Sequence, residues 1–419
     1  MKKFLSPEFQ NHIWILISTI IAAPFMSVLV LITTRLVDLE TAGMLYFAAS
    51  VTSLFIVFAV FSVNQIQMVD VREENKFIEY LGFRTATSAA ATLAIILYLV
   101  VAGYEWQQTT VILLYYIFLL IDAYANVFMT DFHQKGMIRI MGRMRASGFA
   151  ASLIAFFLVV YTTRDVTISL MVAGVLLTGI YMAWIWTYKR HFGAIRVKAD
   201  YLAIKRLAAS AFPVLVLTLI MTYLGYAPSI YLGTFDSYEK VAIYAILITP
   251  SALYLILVHA LLLGAPLPQT SEAYASGQLK RFSKRIHVLL FIGIIMAIPF
   301  LAVTYIIGIL LLSWLYDTDL STYLRQLMLV SAGGVFTTAT PIVGMALIIM
   351  RKQKAYMYSY LAVGAVAGPL VGVLVWRYGI LGAAFSNLVV FAPLTIVVYI
   401  VFRCTLRREN ASAHQTYEQ

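Results

Sequence analysis

Twelve long apolar runs dominate this chain, and runs of that length leave a polypeptide little choice of fold. They fall at about 13–34, 43–63, 84–103, 108–130, 147–163, 166–188, 207–232, 241–265, 287–315, 323–350, 355–376 and 379–402. A helix crosses the hydrocarbon core of a bilayer with about 20 apolar residues and satisfies its own backbone groups there. Barrel strands would read as short alternating segments instead. The runs therefore predict an all-α integral membrane protein with twelve transmembrane helices. Composition agrees. The chain is 62% apolar and only 12% charged, whereas water-soluble domains carry about a quarter charged residues.

The net charge of +11 could point to nucleic acid, but the positions of the cations argue otherwise. With the N-terminus inside, the outer connections hold Arg35, Arg164, Lys240, Arg325 and Arg377. The other twenty-five of the 30 Lys and Arg fall on inner segments. These include Lys2, Lys3, Arg72, Lys76, Arg84, Arg196, Lys198 and the cluster Lys280, Arg281, Lys284 and Arg285. Short cytoplasmic loops are the ones enriched in cations. The basic charge is thus a topology signal that places both termini in the cytoplasm, and no nucleic-acid partner is expected. Trp14, Trp184 and Trp186 near inner ends, and Trp106, Trp314 and Trp376 near outer ends, read as interface belts.

The longest inner connection divides the chain into two six-helix halves. The expected organisation is an N-terminal lobe over 1–190, a cytoplasmic linker over 191–206, a C-terminal lobe over 207–403 and a short cytoplasmic tail over 404–419. Pro24 interrupts the first run and Pro213 the seventh, at matching positions. The second helix of each half opens alike, in RLVDLETAGMLY up to Tyr46 and in YLGTFDSYEKVAIY up to Tyr244. Internal repeats of this kind are common in transporters. No cleavable signal peptide is evident, so the first helix is expected to stay. The single cysteine, Cys404, excludes an intrachain disulfide. It reads as a residue at the membrane boundary.

The chain carries no GxxxxGK[ST] phosphate loop, no GxSxG elbow and no His/Cys cluster with metal-ligand spacing. No catalytic residue, metal or cofactor is expected. A membrane polymerase or ligase would need a long outer loop, and an acyltransferase a placed histidine, and neither is present. Asp122 stands out in the fourth run, with Asn126 one turn on. A carboxylate at membrane depth is costly and faces a cavity or a partner. It reads either as an ion-coupling group or as a structural hydrogen-bond acceptor. His259 has the same two readings, proton carrier or interhelical hydrogen bond. Arg35, Arg84, Arg206 and Arg325 lie near helix ends, where Arg either snorkels to headgroups or grips a phosphate by paired hydrogen bonds.

Several stretches resemble landmarks of a known family. They are TTRLVDLETAGMLYFAASV (33–51), NQIQMVDVREENKFIEYLGFR (64–84) with Gln67, Asp70, Tyr80 and Arg84, and LLIDAYANVFMTDFHQKGMIRIMGRMR (119–145) with Asp122, Asp131, Gln134, Lys135 and Arg139. GYAPSIYLGTFDSYEKVAIYAILITPSALYLI (225–256), WLYDTDLSTYLRQL (314–327) and YGILGAAFSN (378–387) complete the set. Together they resemble the Wzx-type flippases of the multidrug/oligosaccharidyl-lipid/polysaccharide (MOP) exporter superfamily. Val37 stands where the family's turn usually has Gly. Ser229 stands where relatives often carry a basic residue.

The resemblance implies two lobes facing across a cleft in the bacterial cytoplasmic membrane. It implies a transporter that flips an undecaprenyl-diphosphate-linked oligosaccharide by alternating access, for O-antigen, capsule or exopolysaccharide assembly. A proton or sodium gradient would drive it, and polysaccharide polymerase and chain-length enzymes would be its partners beside membrane lipids. The substrate-binding candidates are Arg35, Arg84, Arg206, Tyr226 and Asn387. The ion-coupling candidates are Asp122 and His259. A multidrug exporter of the same superfamily and a major-facilitator-type carrier are the alternatives.

Overall fold

A computed structural model describes residues 7–70, 74–192, 201–264 and 266–417. Lys2, Lys3, Arg72, Arg196 and Lys198, five of the cations counted above, lie outside the described residues, as does most of the expected linker. Among the described residues every regular element is helical.

The spanning helices follow the apolar runs. Helix α1 starts as Pro7–Ala22 and resumes as Phe25–Leu36. It is followed by α2 (Leu39–Val60), α3 (Phe77–Ala102), α4 (Trp106–Gln134), α5 (Ile138–Thr163) and α6 (Val166–Thr187). Then come α7 (Tyr201–Phe235), α8 (Tyr238–Val258), α9 (Leu279–Tyr316) and α10 (Ser321–Ile349). The last helical stretch, Gln353–Tyr417, is divided by the non-helical Gly379 at φ 53° and ψ −134°. This yields α11 (353–378) and α12 (380–417). Glycine suits that turn for two reasons. The positive φ disfavours L side chains, and a Cβ there would meet the Asp236 carboxylate at 3.0 Å. Among the described residues this makes twelve helices long and apolar enough to span a membrane, as the runs predict. Short helices at Val63–Val69 and Leu267–Ala275 lie at helix ends.

Large apolar side chains stay exposed along these helices. Val101, Trp106, Ile306 and Leu310 are all more than 70% exposed. A soluble chain hides such groups; a bilayer solvates them.

The chain divides into two compact units, Met1–Thr222 and Tyr223–Gln419. The division falls inside α7, later than the linker expected at 191–206. In the first unit, α5 packs on α6 and α1, and α2 on α3 and α4. A buried cluster of Val63, Tyr80, Phe83, Val127, Leu207 and Ala211 ties the start of α7 to α3 and α4. In the second unit, α10 packs against α11–α12 and α8. There the Tyr254 hydroxyl donates to the Gly293 carbonyl across 2.9 Å, joining α8 to α9.

The two repeat signals fare differently. The second helix of each unit begins with a side-chain cap. Asp38 accepts from the Thr41 N–H at 2.6 Å, and Ser237 accepts from the Lys240 N–H at 3.4 Å. Each cap is followed by an acid in the first turn, Glu40 or Glu239, which complements the helix dipole. The prolines do not match. Pro24 breaks α1, but α7 runs through Pro213 without interruption. A proline inside a spanning helix removes one backbone hydrogen bond, which neighbouring groups can absorb. It is a permissive signal for a break and does not force one.

Candidate functional site

A fully buried cation of the first unit, Arg84, meets the end of α2. Helix α2 terminates at Val60, and Phe61 and Ser62 take the left-handed conformation at φ 49° and 54°. Two consecutive non-glycine residues in that region are uncommon and cost energy. The termination also orphans the last carbonyls of α2 in a water-poor interior. Arg84 on α3 answers this need. Its side chain is fully buried, and Nη1 donates to the Ala59 carbonyl at 2.8 Å. The Thr87 hydroxyl donates to the same carbonyl, also at 2.8 Å. A cation at a helix C-terminus is favoured by the helix dipole as well. Phe61 packs edge-on against Phe83, ring centres 5.4 Å apart, and the Ser62 hydroxyl lies 3.3 Å from that of Thr218. The strained turn is thus held from both sides.

Asp122 on α4 is the charged group whose field reaches the Arg84 guanidinium. It is half-buried, and its Oδ1 accepts a hydrogen bond from the Tyr181 hydroxyl of α6 at 2.8 Å. The Tyr181 phenol lies in the fields of both Asp122 and Arg145. Nε and Nη2 of Arg84 are buried with no hydrogen-bond partner. The site is therefore a buried cation using one of its nitrogens, a carboxylate beyond ion-pair distance from it, and a phenol holding that carboxylate. Four helix elements contribute: the end of α2, then α3, α4 and α6.

Gly148 on α5 makes room for the phenol. A Cβ there would sit 2.4 Å from Cε1 of Tyr181 and 2.9 Å from Cδ1 of Leu177. Asn126 shares the helix face of Asp122 but serves its own helix, receiving the Thr130 hydroxyl on its carbonyl at 2.7 Å.

Arg35 and Arg206, the other predicted residues of the first unit, do not join this cluster. Arg35 is exposed in the last turn of α1. Arg206 on α7 forms an ion pair with Glu79 at 3.4 Å. Glu79 also accepts from the Lys76 N–H at 2.8 Å, which closes the start of α3. Tyr226, His259 and Asn387 belong to the second unit. Tyr226 is half-buried on α7. His259 opens the π-helical segment His259–Gly264 that follows α8, and its Nε2 is buried without a hydrogen-bond partner. Asn387 on α12 is buried, and its amide donates to the Tyr244 hydroxyl at 2.9 Å.

The remaining landmark residues tie loops together. Asp70, between α2 and α3, accepts from the Glu74 N–H at 2.9 Å, the Asn75 N–H at 3.0 Å and the Tyr80 hydroxyl at 2.8 Å. Partial burial acts to raise its pKa, but these hydrogen bonds outweigh it and hold the carboxyl below its ordinary value. Gln134 donates to the Asp70 carbonyl, and the Gln67 amide to that of Val127 at 3.3 Å. Lys135 pairs with Asp131 at 2.8 Å and donates to the His191 carbonyl at 3.0 Å.

Tyr181 and Gly148 escape sequence reasoning. Tyr181 is one of 27 tyrosines, and most tyrosines in such a chain read as interface belts. Gly148 is one of 23 glycines with nothing local to distinguish it.

No protein-family model and no curated protein matches the chain. Solved structures do match. An inward-facing multidrug resistance MATE family transporter of the MOP superfamily aligns over 93% of this chain and 95% of its own, at TM-score 0.74 and 12% identity. The lipid II flippase MurJ, in its inward closed conformation, aligns over 93% and 86%, at TM-score 0.67 and 13% identity. A MOP superfamily transporter from Pyrococcus furiosus aligns over 96% and 95%, at TM-score 0.61 and 12% identity. The chain is a multi-pass membrane protein with the fold of the MATE family transporter and of the lipid II flippase that it matches.

Proposed function

We propose that this protein is a transporter that flips a lipid-linked oligosaccharide, carried on an undecaprenyl-diphosphate anchor, from the inner to the outer leaflet of a bacterial cytoplasmic membrane. The observation that carries the reading is the likeness to a lipid II flippase over 93% of the chain. The family landmarks run through the same twelve helices. The physical problem suits such a fold. A sugar-diphosphate head cannot cross hydrocarbon without partners for its charges and hydroxyls, while its lipid tail can stay in the bilayer.

In this reading Asp122 couples transport to a proton or sodium gradient. Occupancy of the carboxylate decides whether it holds Tyr181 or turns to the unused nitrogens of Arg84. The helix end at Ala59 and the strained Phe61–Ser62 turn would transmit that choice to α2. Arg35, Arg206 and Tyr226 are the candidates for contact with the cargo. Asn387, occupied by Tyr244, serves packing.

A multidrug exporter is the second reading, favoured by the TM-score of 0.74 to a multidrug MATE transporter. The two readings separate in cells deprived of the protein. A flippase leaves lipid-linked repeat units accumulated in the inner leaflet and surface polysaccharide reduced. An exporter leaves the glycan unchanged and raises drug sensitivity.

A further inference from the structure

The basic run at the start of α9 does more than mark topology. Pro266, Thr270, Arg281, Lys284, Arg285, Val288 and Leu289 line a cavity of about 310 Å³ between the short helix Leu267–Ala275 and the first turns of α9. Three cations thus converge on one concave site. Two glutamines steady them: Gln269 accepts from Arg285 at 3.0 Å and Gln278 from Arg281 at 3.1 Å. The ion pairs Lys135–Asp131 and Arg206–Glu79 involve none of the three. No described carboxylate, then, lies within ion-pair distance of these three cations. Three like charges gathered with no described carboxylate in ion-pair distance repel one another, and an anion relieves that cost.

The floor of the cavity narrows what the anion is. Val288 and Leu289 begin the apolar stretch of α9, and Val288, Phe291, Ile294 and Ile298 further along are exposed large apolar side chains. The cations therefore sit at the depth of headgroups, with hydrocarbon beginning one turn deeper. A ligand with a negative head and apolar chains fits both parts; a soluble anion fits only one. The cavity opens beside apolar side chains that face bulk lipid, where the abundant phosphate is that of ordinary phospholipid.

We propose that this cavity binds the headgroup of an anionic diacyl phospholipid, with Arg281, Lys284 and Arg285 on the phosphate and Val288 and Leu289 against the glycerol and upper acyl chains. The site is independent of the cargo proposed above.

The test uses the full-length protein in detergent, titrated with phosphatidylglycerol or with phosphatidylcholine of the same acyl chains, and bound lipid counted by native mass spectrometry. The wild type should hold phosphatidylglycerol in preference to phosphatidylcholine. The triple substitution Arg281→Gln, Lys284→Gln, Arg285→Gln should weaken phosphatidylglycerol by about fivefold per cation removed and leave phosphatidylcholine unchanged. The charge-conserving pair Arg281→Lys, Arg285→Lys should keep most of the preference. Should the triple variant fail to insert, the wild type still decides, because raised salt must weaken phosphatidylglycerol alone. Equal binding of the two lipids by the wild type, or no effect of either the substitutions or salt, would overturn the proposal. So would displacement of phosphatidylglycerol by inorganic phosphate at matched ionic strength, which would show a soluble-anion site.

Discussion

The Tyr181 hydroxyl donates to Oδ1 of Asp122 across 2.8 Å, pinning α6 to α4 through a carboxylate at membrane depth. Substituting Asp122 separates its two roles. If the carboxylate only accepts a hydrogen bond, Asn should replace it. The ion-coupling reading predicts that Asp122→Asn and Asp122→Ala both abolish export of surface polysaccharide while the protein inserts normally. Full export by the Asn variant would make Asp122 a structural pin.

Gly148 offers an indirect route to the same contact. Alanine there places a Cβ 2.4 Å from the Tyr181 ring. The phenol must shift, and overpacking of this kind costs about 1–3 kcal/mol. Gly148→Ala and Tyr181→Phe should each lower the thermal midpoint and each impair transport. Combined, they should cost less than the sum, because both act on one hydrogen bond. Strict additivity in a double-mutant cycle would show that Gly148 matters for some other contact.

The Ala59 carbonyl has two donors, Arg84 and Thr87. Removing either leaves the other in place. Thr87→Val should therefore be mild. Arg84→Met should cost more, since the Arg84 side chain is fully buried at the end of α2. The double variant should fall below the sum by about 1–3 kcal/mol, the cost of leaving a buried carbonyl unsatisfied. Thermal unfolding in detergent of the four proteins measures the coupling. A coupling of zero would mean that water reaches the end of α2.

Asp70 ties its loop through three hydrogen bonds that lower its pKa. A carboxyl with a depressed folded pKa contributes stability above its unfolded pKa of about 3.9. That contribution disappears as pH falls through the lower folded value. Wild type should therefore exceed Asp70→Asn in thermal midpoint at neutral pH, and the two should converge below about pH 4. A gap that stays constant down to pH 3 would contradict this account of the loop.

The spanning helices were legible because hydrocarbon leaves only one solution for a long apolar run. The like openings of the two second helices were legible as a sequence similarity, and the structure adds that each carries a side-chain cap, at Asp38 and Ser237. Asp122 was legible as a costly group and Arg84 as a cation near a helix end, but their orientation was not. A helical run shows depth without showing which neighbours surround it. Arg84 turned toward the end of its own neighbour α2, and no local pattern marks where α2 stops, since Phe61–Ser62 is an unexpected left-handed pair. Pro213 read as a break and is none, because the cost of an internal proline depends on packing that sequence does not display. Asn387 read as a cargo contact, yet its amide meets Tyr244, 143 residues earlier in the chain. Pairings at that separation are set by the tertiary fold.

The central claim is lipid flipping, and reconstitution tests it most directly. The purified protein would be placed in vesicles carrying a fluorescent undecaprenyl-diphosphate-linked oligosaccharide. Exposure of the headgroup at the opposite leaflet would be read with a membrane-impermeant quencher. The account predicts that the wild type moves the labelled lipid, that an imposed proton or sodium gradient accelerates it, and that Asp122→Ala does not move it. Immobile labelled lipid, together with gradient-driven expulsion of a cationic dye by the same vesicles, would contradict the flippase reading and establish the multidrug exporter.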